Sequence, residues 1–279
     1  MLEARLPECV CTLPGGLVME NGRRLSRAEL RLLTGYEEEW VAQHTDTASA
    51  LMTTKLLSEC VVRLDEMPAD ETMVRKLLVG DRDFLILQLR QMTLGERFAA
   101  VLNCPGCGAA MDVEFSAQDI PVEARPQSAS IYSWQSKDPS RSGRPIRFRL
   151  PNGGDQETVT ELPTDQAVKN LLDRCLIDHG GKPLAADERE AVIDEMNRLT
   201  PQIDLHLELS CPECLLSFTT PFDCTAFFFS ELRAQSRHLT REVHYLALHY
   251  HWSEADILNL RRDRRRAYLT LLNETLRPT

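Results

Sequence analysis

The chain has 279 residues, 43% of them apolar, and a formal charge of −10. That apolar share excludes a disordered chain and can fill one or two domain cores, while the averaged negative field excludes a general binder of nucleic-acid backbones.

The N-terminal stretch MLEARLPECVCTLPGG lacks the basic start and the apolar core of about 7–15 residues that a secretory signal requires, so a cytoplasmic setting is expected. Nine cysteines in that setting read as thiols or thiolate ligands rather than as a disulfide framework. Cys9 and Cys11 stand at alternate positions of a short strand. In SRAEL, Ser26 and Glu29 form a capping box that predicts a short helix ending near Thr34 and Gly35. Thr53, Leu56, Leu57 and Cys60 then make one apolar helical stripe, and Leu85, Ile86, Leu89 and Met92 make another. The second stripe leads into NCPGCGAAMDVEF, where Cys104-Pro-x-Cys107 forms a tight bend before the alternating Met111, Val113 and Phe115.

The segment Arg125 to Pro145 carries the Pro, Ser and Gly of a linker. Beyond it, much of the pattern returns. RLPNGG at Arg149 echoes TLPGG at Thr12, and LLDRC at Leu171 matches LLSEC at Leu56. Cys211-Pro-x-Cys214 then matches the first bend at an offset of 107 residues that holds without a gap from Asp81 to Phe115. That offset also pairs Phe115 with Phe222 and the helix face of Leu85 with that of Val192. Both stretches predict helix, strand, bend, strand, and the chain reads as a divergent duplication. Two further helices follow, from about 226 to 251 and from 253 to 274, with Ser253 and Asp256 capping the second. The richest apolar run there, TAFFFSEL, is far short of the roughly 18 residues of a membrane span.

A C-P-x-C bend places two thiolates on one side of a turn and supplies half of a tetrahedral metal site. Duplication brings the two bends face to face, so Cys104, Cys107, Cys211 and Cys214 are expected to hold one structural Zn2+. Two separate sites, each completed by Cys9, Cys11, Cys224 or a histidine, are the alternative. Redox chemistry is disfavoured because neither bend opens a helix. His206-x-Glu208 before Cys211 superficially resembles a zinc deaminase signature, but the proline falls inside the cysteine pair, and four thiolates leave no open position for water. No Walker, G-x-S-x-G, G-x-G-x-x-G or H-E-x-x-H pattern is present, so no catalytic residue and no small-molecule substrate are expected. Cys60 and Cys175 read as core residues. The aromatic-rich HYLALHYHW and the basic RRDRRR offer a partner-binding surface of His244, Tyr245, Tyr250, Trp252, Arg261, Arg262, Arg264, Arg265 and Arg266.

Leu33-Thr34-Gly35-Tyr36-Glu37, then Gly80-Asp81-Arg82-Asp83, Thr93-x-Gly95 and the Cys104 bend together resemble the baseplate-hub assembly protein family of T-even-type contractile phage tails. The resemblance covers about residues 25–125, and the second half keeps only the bend. It implies a non-enzymatic assembly factor or minor structural component of a contractile tail baseplate, partnered by hub or spike proteins, made in the cytoplasm of the producing cell. A zinc-ribbon nucleic-acid adaptor using Arg261 to Arg266 is the competing expectation. The expected architecture is α+β: two helix-helix-strand-knuckle-strand modules joined by a four-cysteine zinc ribbon, plus a C-terminal helical pair. The expected boundaries are 1–124, a linker at 125–145, 146–225 and 226–279.

Overall fold

The computed structural model describes residues 9–125, 129–136, 145–178, 184–203 and 205–276, so the extreme N-terminus and parts of the expected linker lie outside the described residues. The chain begins with a four-stranded antiparallel sheet in the order β1 (Cys9–Val18), β2 (Arg24–Leu30), β3 (Val61–Leu64) and β4 (Met67–Pro68). Helices α1 (Gly35–Gln43) and α2 (Ser49–Cys60) connect β2 to β3, and α3 (Glu71–Lys76) and α4 (Val79–Leu94) lead to a hairpin of β5 (Arg97–Asn103) and β6 (Ala110–Ser116). After β7 (Val122–Glu123) come β8 (Tyr132–Trp134) and β9 (Ile146–Phe148), then α5 (Gly153–Val159), α6 (Thr164–Cys175) and β10 (Leu176–Asp178), with β9 central in the sheet β10-β9-β8. Helix α7 (Ala186–Leu199), β11 (Gln202–Ile203) and a second hairpin, β12 (Leu205–Ser210) with β13 (Ser217–Phe222), follow. The chain then runs through α8 (Cys224–Ala234), α9 (Ser236–Tyr250), α10 (Glu254–Leu258) and α11 (Arg262–Leu276). Helix and strand are thus mixed in an α+β fold.

The stripes predicted from the sequence do fill the core. Thr53, Leu56, Leu57 and Cys60 of α2 and Leu85, Ile86 and Leu89 of α4 are buried against Leu25 and Leu30 of the sheet and Phe228, Phe229 and Leu232 of α8. Three local expectations are corrected. SRAEL is strand, not helix: β2 lies between β1 and β3, the Ser26 N–H donates to Asp65 Oδ2 at 3.1 Å, and the local capping signal yields to cross-strand pairing. The cap sits eight residues later, where Glu37 accepts from both the Thr34 N–H and its hydroxyl at 2.7 Å. The segment assigned to a linker contains β8, and the two expected C-terminal helices are four, broken at Gln235, at 251–253 and at 259–261. Ser253 caps α10 as expected, accepting from the Asp256 N–H at 3.1 Å.

Both halves share one local device. The Arg31 N–H donates to the Cys60 carbonyl and the Arg149 N–H to the Cys175 carbonyl, each at 2.9 Å. Their guanidinium groups reach Glu37 at 2.7 Å and Asp155 at 2.9 Å in the first turns of α1 and α5. Burial alone would raise these two carboxyls, but the arginines hold both below the usual carboxylate range. In local structure RLPNGG therefore resembles RLLTG at Arg31, whereas TLPGG at Thr12 is part of β1 and its bulge.

The GDRD segment at the start of α4 ties the halves together. A Cβ on Gly80 would stand 1.9 Å from the Pro201 carbonyl oxygen, so only glycine allows that approach. Asp81 is fully buried and accepts from the Gly15 N–H at 2.6 Å. Burial raises its carboxyl from 3.8 to about 6, against the lowering effect of the Gly15 and Gly16 N–H groups and Arg24. Because the folded value exceeds the unfolded one, the native chain binds the extra proton between those two values. Its stabilisation is complete below about 4 and is lost as pH rises through about 6. The wild-type chain should therefore gain stability relative to Asp81→Asn, by on the order of 2–3 kcal/mol, between pH 7 and pH 4. Parallel urea titrations of the two proteins read this difference, and a pH-independent gap would contradict it.

Candidate metal centre

Each hairpin turns through its C-P-x-C bend with the same backbone bonds. The Cys104 N–H donates to the Ala109 carbonyl and the Cys211 N–H to the Leu216 carbonyl, both at 2.9 Å. The Gly108 N–H returns to the Cys104 carbonyl at 2.9 Å and the Leu215 N–H to the Cys211 carbonyl at 3.0 Å. Gly108 takes φ +75° to close its turn, and Leu215, its counterpart, takes φ +60°, a left-handed conformation costly for a side-chain-bearing residue. Leu215 is also 82% exposed. Gly106 lies against the second bend, where a Cβ would stand 2.8 Å from Leu216 Cδ2 and the exposed leucine side chain would have to shift.

The four Sγ atoms of Cys104, Cys107, Cys211 and Cys214 all lie within 4.8 Å of one another. Cys104 meets Cys214 and Cys107 meets Cys211 at 3.6 Å. A disulfide would require about 2 Å. Sulfurs at the corners of a tetrahedron with Zn–S near 2.3 Å stand about 3.8 Å apart, so the donor set and spacing fit a four-thiolate ion. Burial pushes Cys104 up, but the N–H groups of Cys107 and Gly106 and the sulfurs of Cys211 and Cys214 outweigh it and bring the thiol to about 6, whereas at Cys107 the lowering by the Ala109 N–H is outweighed by the Cys214 and Cys211 sulfurs, which push it up to about 12. Cys104 and Cys211 are buried with Met111, Leu209 and Phe218 beside them, while Cys107 and Cys214 are exposed.

Beneath the bends, Phe115 and Phe222 meet edge to face with centroids 5.0 Å apart, and Phe98 and Phe227 complete the aromatic cluster. The sequence reading missed how this unit is held to the main core. Arg90 of α4 donates to both oxygens of Glu231 in α8 at 2.8 and 3.0 Å, to the Gly95 and Arg97 carbonyls at 2.5 and 2.8 Å, and lies 3.8 Å over the Phe98 ring. An arginine on an otherwise apolar helical stripe was the available signal.

The other sulfurs stay apart from the four. Cys9 and Cys11 pair along β1 with Leu30 and Ala28 and pack on the main core. Burial pushes the thiols of Cys11, Cys175 and Cys224 up to about 12. His206 faces outward opposite Pro221, away from the buried Leu205 and Leu207. At the C-terminus, Tyr250 and Trp252 stack at 4.9 Å and both meet Tyr268, whereas His244 and Tyr245 are exposed. Arg262 and Arg265 turn inward to Glu38, Arg264 and Arg266 face solvent, and Arg261 lies 3.5 Å from Asp263. Among the described residues no helix is long and apolar enough to cross a membrane.

A family model described as T4 bacteriophage base plate protein matches residues 23–229. The match spans β2 through most of α8 and includes all four clustered cysteines. No curated protein and no solved structure matches the chain.

Proposed function

The chain belongs to the T4 bacteriophage base plate protein family, and we propose that it works there as a non-enzymatic assembly factor or minor structural component of the hub, stapled by one structural zinc. The family match over residues 23–229 carries this reading. The four-thiolate cluster supports the staple, because such a sphere leaves no position for water or substrate and a catalytic zinc needs one. The partners proposed are hub or spike proteins of a contractile tail.

We read the two halves as a divergent duplication of one module. Four paired features support it: the Arg31–Glu37 and Arg149–Asp155 braces, the helix ends at Cys60 and Cys175, the matching bends, and the Phe115–Phe222 contact. The metal sits where the two copies meet.

Co-expression with the tail and hub proteins of its own gene cluster, followed by pull-down on a tagged chain, tests the function. Recovery of a hub or spike protein is the expected result. Recovery of none, together with a salt-sensitive shift of DNA or RNA lost on neutralising Arg264 and Arg266, would replace it with the nucleic-acid adaptor. Presence of the chain in purified particles would mark a resident subunit, and absence a factor that leaves.

A further inference from the structure

Two places in the chain grip a helix pair in the same manner. At the first, Thr34 forms an antiparallel bridge with Arg261 and the Gly35 N–H donates to the Leu260 carbonyl at 3.2 Å, so the entry to α1 holds the connector between α10 and α11. At the second, Asn152 bridges Leu78 and the Gly153 N–H donates to the Leu77 carbonyl at 3.0 Å, so the entry to α5 holds the connector between α3 and α4. Each clamp is braced by the arginine–carboxylate pair described above.

The two guests correspond position by position. A short helix is capped by a side chain, Asp70 accepting from the Met73 N–H or Ser253 from the Asp256 N–H. The connector follows, and then a fully buried arginine, Arg82 or Arg265. Asp70 and Ser253, Leu77 and Leu260, and Arg82 and Arg265 are each 183 residues apart. Their electrostatics differ. Arg265 and Arg262 both donate to the Glu38 carboxylate at 2.8 Å, and Arg265 also donates to Glu242 of α9 at 2.8 Å. Arg82 donates to the Ala50 carbonyl at 2.7 Å, and its Nε and Nη1 find no hydrogen-bond partner among the described residues. The first clamp is the one with an acid placed for an arginine guest.

The family match takes in both clamps and the guest α3–α4 but ends at residue 229, before α9, α10 and α11. The first clamp is therefore part of the family region, while its occupant is not. Among the described residues the main core draws on none beyond Leu232, and the buried Leu239, Leu246, Ile257, Leu258 and Leu272 belong to the helices that follow. The covalent connection from α9 to α10 is residues 251–253, where His251 takes φ +57°, a strained conformation for a residue other than glycine, and α11 is also held to α9 by the Arg265–Glu242 ion pair and by Tyr268 against Tyr250 and Trp252.

We infer that the first clamp is a docking site for a capped, arginine-bearing helix pair of another protein chain, and that α10–α11 is its built-in, displaceable occupant. The partner is specified by chemistry: a short capped helix, a connector carbonyl for the Gly35 N–H, and an arginine at the start of its second helix to meet Glu38. This goes beyond the base plate reading and does not depend on the metal centre.

Two full-length variants test it. Arg262→Glu with Arg265→Glu spoils the guest and frees the clamp; Glu38→Arg with Glu242→Arg removes both carboxylates that hold Arg265, spoiling the clamp and freeing the guest. Mixed, the two are expected to form a 1:1 complex by light scattering, at least tenfold tighter than either forms with itself. Combining all four substitutions in one chain restores complementary charges at both positions and should abolish that association. A mixture that stays as separate chains would overturn the inference. Should circular dichroism show either variant unfolded, hydrogen exchange on the wild-type chain decides instead. Joint exchange of the α10–α11 amides and the Gly35 N–H, ahead of β2 and α4, upholds the inference, and exchange of all of them only in global unfolding refutes it.

Discussion

Replacing any one of Cys104, Cys107, Cys211 or Cys214 by serine is expected to remove the chain from the soluble, folded fraction. The magnitude follows from comparison: structural zinc in small sites contributes an apparent 10–16 kcal/mol or so, against a whole-domain stability of about 5–15 kcal/mol. Around the sulfurs the apolar support is thin, with only Met111 and the two buried cysteines enclosed and Ala109, Leu209 and Phe218 partly so. Two of the four substitutions separate metal binding from packing. Cys107 and Cys214 are exposed, so a serine there removes almost no buried surface. Equal damage at exposed and buried positions means a ligand was lost; damage confined to Cys104 and Cys211 would mean packing alone. Elemental analysis should find one zinc per wild-type chain, and X-ray absorption should show four sulfurs near 2.3 Å or so. A serine variant with unchanged melting temperature and solubility would refute the staple.

Arg90→Ala should also be damaging, costing about 3–5 kcal/mol, because it strips the half-buried Glu231 carboxylate and two carbonyls of a buried donor. The guanidinium joins α4, α8 and the first strand of the knuckle hairpin through Glu231, the Gly95 and Arg97 carbonyls and the Phe98 ring. Truncation leaves the Glu231 carboxylate and both carbonyls without their donors. Arg90→Lys should recover little, since an ammonium cannot address two carboxylate oxygens and two carbonyls at once or lie flat over a ring. Denaturant titration reads the loss, and tryptophan fluorescence set beside zinc retention tells whether the knuckle unit detaches before the core melts. A stability within about 0.5 kcal/mol of wild type would place Arg90 among inconsequential surface charges.

What could be read in advance depended on how local each signal was. The α2 and α4 stripes were legible because a helix repeats its buried face every three or four residues, and Leu56, Leu57, Leu85 and Leu89 are all fully or nearly fully buried. The SRAEL segment misled for the same reason in reverse. Its capping pattern is local, whereas its position between β1 and β3 is fixed by partners tens of residues away. RRDRRR likewise read as a partner-binding basic surface, yet Glu38, more than 220 residues earlier, draws two of its arginines into the interior.

The sequence by itself determined the four thiols, their spacing within each bend and the 107-residue offset that relates the bends, because covalent order and turn chemistry lie within a few residues. Only the tertiary structure decided that the sulfurs converge to 3.6 Å across the halves, that GDRD acts as a packed junction against Pro201 and Gly15, and that α10–α11 fills the first clamp. Those outcomes depend on burial. An arginine or aspartate inside a protein is stable only where a distant carboxylate, carbonyl or N–H happens to meet it, and such meetings have no period along a chain.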